Sequence, residues 1–156
     1  MDLKNRRIGI IGAGITKKDI YDLAYEVGKI LAQKGAIIYT GGLGGVMEAA
    51  SKGALEAGGI TVGILPGNKA EEANPYVKIL ILTEMGHARN VILIRSVEFV
   101  VSISGGYGTL SEIALALKMW KPVIGLRTWG NIPGVYYVNS PEEVLLKIFE
   151  ILKNPT

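Results

Sequence analysis

Glu98-Phe99-Val100-Val101-Ser102-Ile103-Ser104-Gly105-Gly106-Tyr107-Gly108-Thr109-Leu110-Ser111-Glu112 is the stretch on which the fold turns. A short apolar run gives way to a glycine turn, and the turn feeds a segment whose apolar residues recur at helical spacing. Residues 36–40 followed by Gly41-Gly42-Leu43-Gly44-Gly45-Val46-Met47-Glu48 repeat the arrangement. Such a turn lets an anion approach the backbone, because glycine has no Cβ to block it. The first N–H groups of the helix are unpaired and sit at the positive end of its macrodipole. Two such turns in one chain predict a ligand that carries phosphate.

Outward from these turns the chain alternates strand and helix. The apolar runs 7–12, 36–40, 60–65, 78–82, 98–103, 122–126 and 135–138 read as strands. Helical spacing covers about 16–33, 46–57, 86–96, 109–120 and 140–152, with Thr16 and Ser140 placed to cap and Pro141 at a first helical position. Continuous rather than alternating apolar strands indicate a parallel sheet covered on both faces. The expected architecture is therefore a single α/β domain over residues 1–156, a Rossmann-like doubly wound parallel sheet of about seven strands. Ligands bind such sheets outside the strand carboxyl ends, near the switch in strand order. Both glycine turns leave strand carboxyl ends and can flank one site. The polar loop 66–77 is a candidate wall over it.

Composition narrows the function classes. The chain has 156 residues, 49% of them hydrophobic, and 21 glycines placed at strand and helix junctions. A net charge of +3 suits an anionic ligand, but no run of Lys or Arg forms a nucleic-acid stripe. Cysteine is absent, which excludes disulfides, iron–sulfur clusters and Cys-based zinc sites. His87 is the sole histidine, so a transition-metal site is not expected. No apolar stretch reaches the roughly 18 residues of a membrane span. A cytoplasmic protein is expected, and a single glutamine with many Lys and Glu suggests a hot habitat.

Among residues that could do chemistry, Thr109 and Glu112 have the spacing of a capping box. A cap needs no glycines ahead of it, whereas phosphate against the backbone does, so a ligand role stands beside the cap. Gly12-Ala13-Gly14 opens like a dinucleotide fingerprint, but the third glycine would fall at Lys17 and no acid ends the second strand. No Gly-Lys-Ser or Gly-Lys-Thr is present for a P-loop. His87 and Arg89 share a helix start, where they can meet an anionic ligand or Glu112, or simply be solvated. The candidate phosphate- or cofactor-binding set is Gly12, Gly14, Gly41, Gly42, Gly44, Gly45, Gly105, Gly106, Tyr107, Gly108 and Thr109. The helix through Ile113, Leu115, Leu117, Met119 and Trp120 is apolar nearly all round, which suggests burial against a second subunit.

The ordered set of Gly41-Gly42 through Met47, residues 57–66, Arg89, and Gly105 through Glu112 resembles the LOG (Lonely Guy) or SLOG superfamily, whose mark is P-G-G-x-G-T-x-x-E. Ala88-Arg89-Asn90 with Gly-Gly-Tyr-Gly-Thr-Leu-Ser-Glu-Ile resembles most the molybdenum-cofactor-carrier-like branch of short proteins. Some relatives carry a lysine decarboxylase label, for which no pyridoxal-phosphate lysine motif is visible here.

The resemblance implies a Rossmann-like fold in a homodimer or homotetramer. For carriers it implies the molybdenum cofactor as ligand. For enzymes it implies cofactor-free hydrolysis of the N-glycosidic bond of a nucleoside 5′-monophosphate, with Arg89 and Glu112 as the catalytic pair. Gly106, Gly108 and Thr109 would then hold the phosphate. A carboxylate beside the ribose stabilises oxocarbenium character as the bond breaks. The chain departs from the pattern at Ser104 (proline in the family), Asn90 (lysine in the enzymes), Glu98 (aspartate) and Glu48 (glycine). Carrier and hydrolase both remain open at this point.

Overall fold

The structure is a computed structural model and describes residues 1–155. Its strands are β1 (Arg7–Gly12), β2 (Ile37–Thr40), β3 (Ile60–Leu65), β4 (Ile79–Leu82), β5 (Phe99–Ile103), β6 (Val123–Leu126) and β7 (Val135–Val138). They form one seven-stranded sheet in the order β4-β3-β2-β1-β5-β6-β7, and every neighbouring pair is parallel. This is the doubly wound α/β arrangement expected. The helices are α1 (Lys18–Gln33), α2 (Val46–Glu56), α3 (Arg89–Ser96), α4 (Tyr107–Lys118) and α5 (Pro141–Lys153).

From β1 the chain builds outward through β2, β3 and β4, then returns to place β5 on the other side of β1. The loops after β1 and β5 therefore diverge at the carboxyl edge and open a crevice. Two apolar layers hold the sheet. One packs Ile8, Ile10, Ile38 and Val101 against α1, α2 and α5. The other packs Ile11, Ile64 and Val100 against Leu93, Ile94 and Ile113 of α3 and α4. Successive side chains of a strand point to opposite faces, so the continuous apolar runs fill both layers.

Two expected helix starts are corrected. Thr16 does not cap α1: Lys17 holds the N-cap position, with no side-chain cap bond. Thr109 does not cap α4 either. That helix begins at Tyr107, its N-cap is Gly106, and it too lacks a side-chain cap bond. Ser140 does cap α5, accepting from the Glu143 N–H. The loop 66–77 is no wall over the crevice. Its Asn74 instead donates from Nδ2 to the Leu43 carbonyl (2.8 Å) and from its N–H to the Gly42 carbonyl (2.9 Å), bracing the first glycine turn from behind.

Candidate functional site

Five elements and the loops beside them meet at the crevice. β1 and the loop after it supply Ile11, Gly12, Ala13 and Gly14, β2 delivers Gly41, and α2 adds Met47. His87 comes from the 3-10 turn just before α3 and Arg89 and Asn90 from its start, while Gly106 caps α4 and Gly108, Thr109 and Glu112 lie in it. They enclose a cavity of about 210 Å³.

One wall is the N-terminus of α4. Its first intrahelical bond runs from the Leu110 N–H to the Gly106 carbonyl, so the four N–H groups before it have no partner inside the helix. Gly105 has φ 113°, and a Cβ there would lie 2.2 Å from the Thr109 Oγ1. Glycine lets the turn fold onto Thr109 and leaves the amides uncovered.

Facing this wall is Arg89, which is only 9% exposed. Its Nη1 donates to the Ile64 carbonyl at 3.2 Å, while its buried Nε has no hydrogen-bond partner among the described residues. Gly41 makes room for it: a Cβ on Gly41 would sit 1.9 Å from Nη1. Burial draws the guanidinium below its ordinary value, and the nearby Glu112 opposes that. Glu112 is 8% exposed. Burial pushes its carboxyl up to about 7, with the charge of Arg89 pulling the other way. The cavity thus holds a guanidinium with an unused donor beside a carboxyl able to exist as acid or base near neutrality.

Of the residues expected in the site, Gly12, Gly14, Gly41, Arg89, Gly106, Gly108, Thr109 and Glu112 come together in the cavity. Gly42, Gly44, Gly45, Gly105 and Tyr107 lie outside its lining. Two amides of the first turn are engaged: the Gly42 N–H donates to Thr40 Oγ1 and the Val46 N–H to the Ala13 carbonyl. The Gly45 Cα faces the Ala13–Gly14 backbone so closely that a Cβ would meet the Ala13 carbonyl at 2.2 Å. This turn brings backbones together and supplies Gly41 to the lining, whereas the second turn supplies Gly106, Gly108 and Thr109. Ile11, Ala13 and Asn90 join the lining without having been candidates. Their neighbourhood follows from strand order, which no local spacing reveals.

The departures from the family pattern also find places. Glu98 accepts from the Arg7 N–H and from Arg6 Nη1, at the amino end of β5 and away from the crevice. Glu48 accepts from the Tyr21 hydroxyl at 2.8 Å and is absent from the cavity lining. Asn90 lines the cavity and donates to Ser111 Oγ at 3.4 Å.

The model of the SLOG cluster4 family matches residues 5–149. The chain belongs to that family. This SLOG cluster4 protein is similar in structure to the molybdenum cofactor binding protein of the phototrophic bacterium Rippkaea orientalis: 37% identity, 97% of this chain and 99% of that one, TM-score 0.86. It is likewise similar to the molybdenum cofactor carrier protein of Chlamydomonas reinhardtii, with 35% identity, 97% and 100% coverage, and TM-score 0.88. In sequence it is 32% identical to a cytokinin riboside 5′-monophosphate phosphoribohydrolase of Mycobacterium tuberculosis, over 79% of this chain and 71% of that one.

Proposed function

We propose that this SLOG cluster4 protein binds a phosphate-bearing nucleotide or a molybdopterin-type cofactor and acts as a carrier. The phosphate lies on the N–H groups of Gly106, Tyr107, Gly108 and Thr109. The observation that carries the reading is the buried, unpartnered Nε of Arg89 across the cavity from that helix start. An unmatched buried donor is costly unless a ligand completes it. An arginine fork and a helix N-terminus are both suited to phosphate. Molybdopterin fits this donor set through its phosphate, and the match along their whole length to a molybdenum cofactor binding protein and a carrier protein supports it as cargo. Mass spectrometry of ligand retained through purification, with calorimetry of AMP on wild type and Gly106→Val, tests the proposal. Unchanged AMP affinity in Gly106→Val removes the seat from α4.

A second reading, hydrolysis of a nucleoside 5′-monophosphate, is favoured by one observation: Glu112 beside Arg89, pushed up to about 7. In that reaction water adds to C1′, the C1′–N bond breaks, and the water proton ends on the released base. Glu112 as carboxylate stabilises the cationic ribose and orients the water. Incubation with AMP and prenylated AMP, followed by assay of free base, separates the readings. Base release lost in Glu112→Gln establishes the hydrolase, and ligand retained without turnover establishes the carrier.

The working form we propose is a cytoplasmic homodimer or homotetramer. Trp120, 93% exposed at the end of α4, and the partly exposed Leu115 supply apolar surface for a second copy. Light scattering on wild type and Trp120→Lys reads this directly, a smaller species in the variant being expected.

A further inference from the structure

The cavity beside Arg89, at about 210 Å³, is smaller than the roughly 300–1,000 Å³ of pockets that enclose whole small-molecule ligands. Across the glycine turn lies a second, shallow cleft, wide open to solvent and about 360 Å³ in volume, lined by Ser104, Gly105, Arg127, Thr128 and Trp129. The two share one partition, the turn that carries the α4 amides.

The second cleft is built rather than incidental. The Ser104 N–H donates to the Arg127 carbonyl at 3.0 Å, and Thr128 Oγ1 donates to the Ser104 carbonyl at 3.0 Å. Trp129 Nε1 donates to the Gly106 carbonyl at 3.0 Å, fixing the indole against the turn. From behind, the Tyr137 hydroxyl donates to the Trp129 carbonyl. Tyr107, 83% exposed, stands with its ring centroid 5.9 Å from that of Trp129. The result is an aromatic pair beside a guanidinium, with Tyr107 open to solvent and Trp129 half-buried against the core. Among the described residues the Arg127 guanidinium pairs with the exposed Asp19 alone, 3.4 Å away, a solvent-screened pair that a phosphate can displace.

We infer that this cleft is a second ligand subsite, and that the protein takes a pyrophosphate-linked dinucleotide. One phosphate sits on the α4 amides with its organic group toward Glu112. The second phosphate meets Arg127, and the distal heterocycle stacks on Trp129 and Tyr107. Flat rings stack on aromatic faces without demanding a particular base, and a preformed platform lowers the ordering cost of binding. The inference rests on the phosphate seat proposed above, and its test separates the two.

The test uses Trp120→Phe protein, in which Trp129 is the remaining tryptophan of the two in the chain. AMP and diadenosine 5′,5′-pyrophosphate are titrated by calorimetry and by tryptophan fluorescence. The dinucleotide is expected to bind at least tenfold tighter than AMP and to quench Trp129, while AMP leaves its emission unchanged. Arg127→Gln is expected to bring the dinucleotide to the AMP level without moving AMP. Equal affinities, or a dinucleotide that binds without quenching, overturn the second subsite and leave the phosphate seat standing. Failure of both ligands to bind overturns the seat itself and this inference with it.

Discussion

Ser104 stands in the left-handed region, φ 57°, and its N–H donates to the carbonyl of Arg127. Proline, which the P-G-G motif of the resemblance would place at this position, has φ locked at about −65° and no N–H to give. The turn of this chain therefore has a shape of its own. Ser104→Pro, although it restores the P-G-G pattern, is expected to destabilise the fold by about 3 kcal/mol or more. Ser104→Gly, which relieves the left-handed strain, is expected to be neutral or stabilising. Chemical denaturation of the two variants checks both.

Gly41→Ala separates site from fold. The new methyl lands on Arg89 Nη1, the far end of a flexible side chain, so the guanidinium shifts and the sheet does not. A tenfold or greater loss of AMP affinity is expected, with a stability loss of about 2 kcal/mol, the scale of one hydrogen bond from a charged donor. Calorimetry beside a urea melt measures the two, and an unmoved affinity would refute the role of Arg89.

The buried carboxyl of Glu112 makes stability depend on pH. Unfolded, it titrates near 4.5; folded, near about 7. Between those values the folded state holds a proton that the unfolded state has lost, so stability falls as pH rises through the window and levels off above it. The full effect is of order 3 kcal/mol, at about 1.4 kcal/mol for each tenfold change in proton affinity. Glu112→Gln carries no charge at any pH and is expected to melt higher than wild type at pH 8. Near pH 4.5 the difference is expected to close. Thermal melts at both pH values decide it.

Ser140→Ala is the control remote from the crevice. It removes the oxygen that accepts from the Glu143 N–H, and a lost N-cap costs about 1 kcal/mol. AMP affinity should be unaltered while the denaturation midpoint falls. A joint loss would show that α5 is coupled to the site.

Much of the site was legible because glycine turns and apolar runs are local. Arg89, Glu112 and the second turn could be read from motif and spacing, and each of them does reach the cavity. Helix starts were less legible. Thr109 and Glu112 fit a capping box, yet the helix begins at Tyr107, because the turn closes on Thr109 rather than ending before it. The first glycine turn looked equivalent to the second. Its Gly42 amide goes to nearby Thr40 and its Val46 amide to Ala13, the latter a partner that only packing supplies.

The order of strand and helix, the parallel sheet and a glycine turn ahead of a helix start were all determined by the amino-acid sequence, since periodicity and glycine placement act over a few residues. Tertiary structure alone decided which turn lines the cavity with its helix start, that Gly41 vacates the space Arg89 fills, and that burial brings Glu112 into the neutral range. Those properties depend on distances between segments far apart in the chain, and on the exclusion of water that their packing creates.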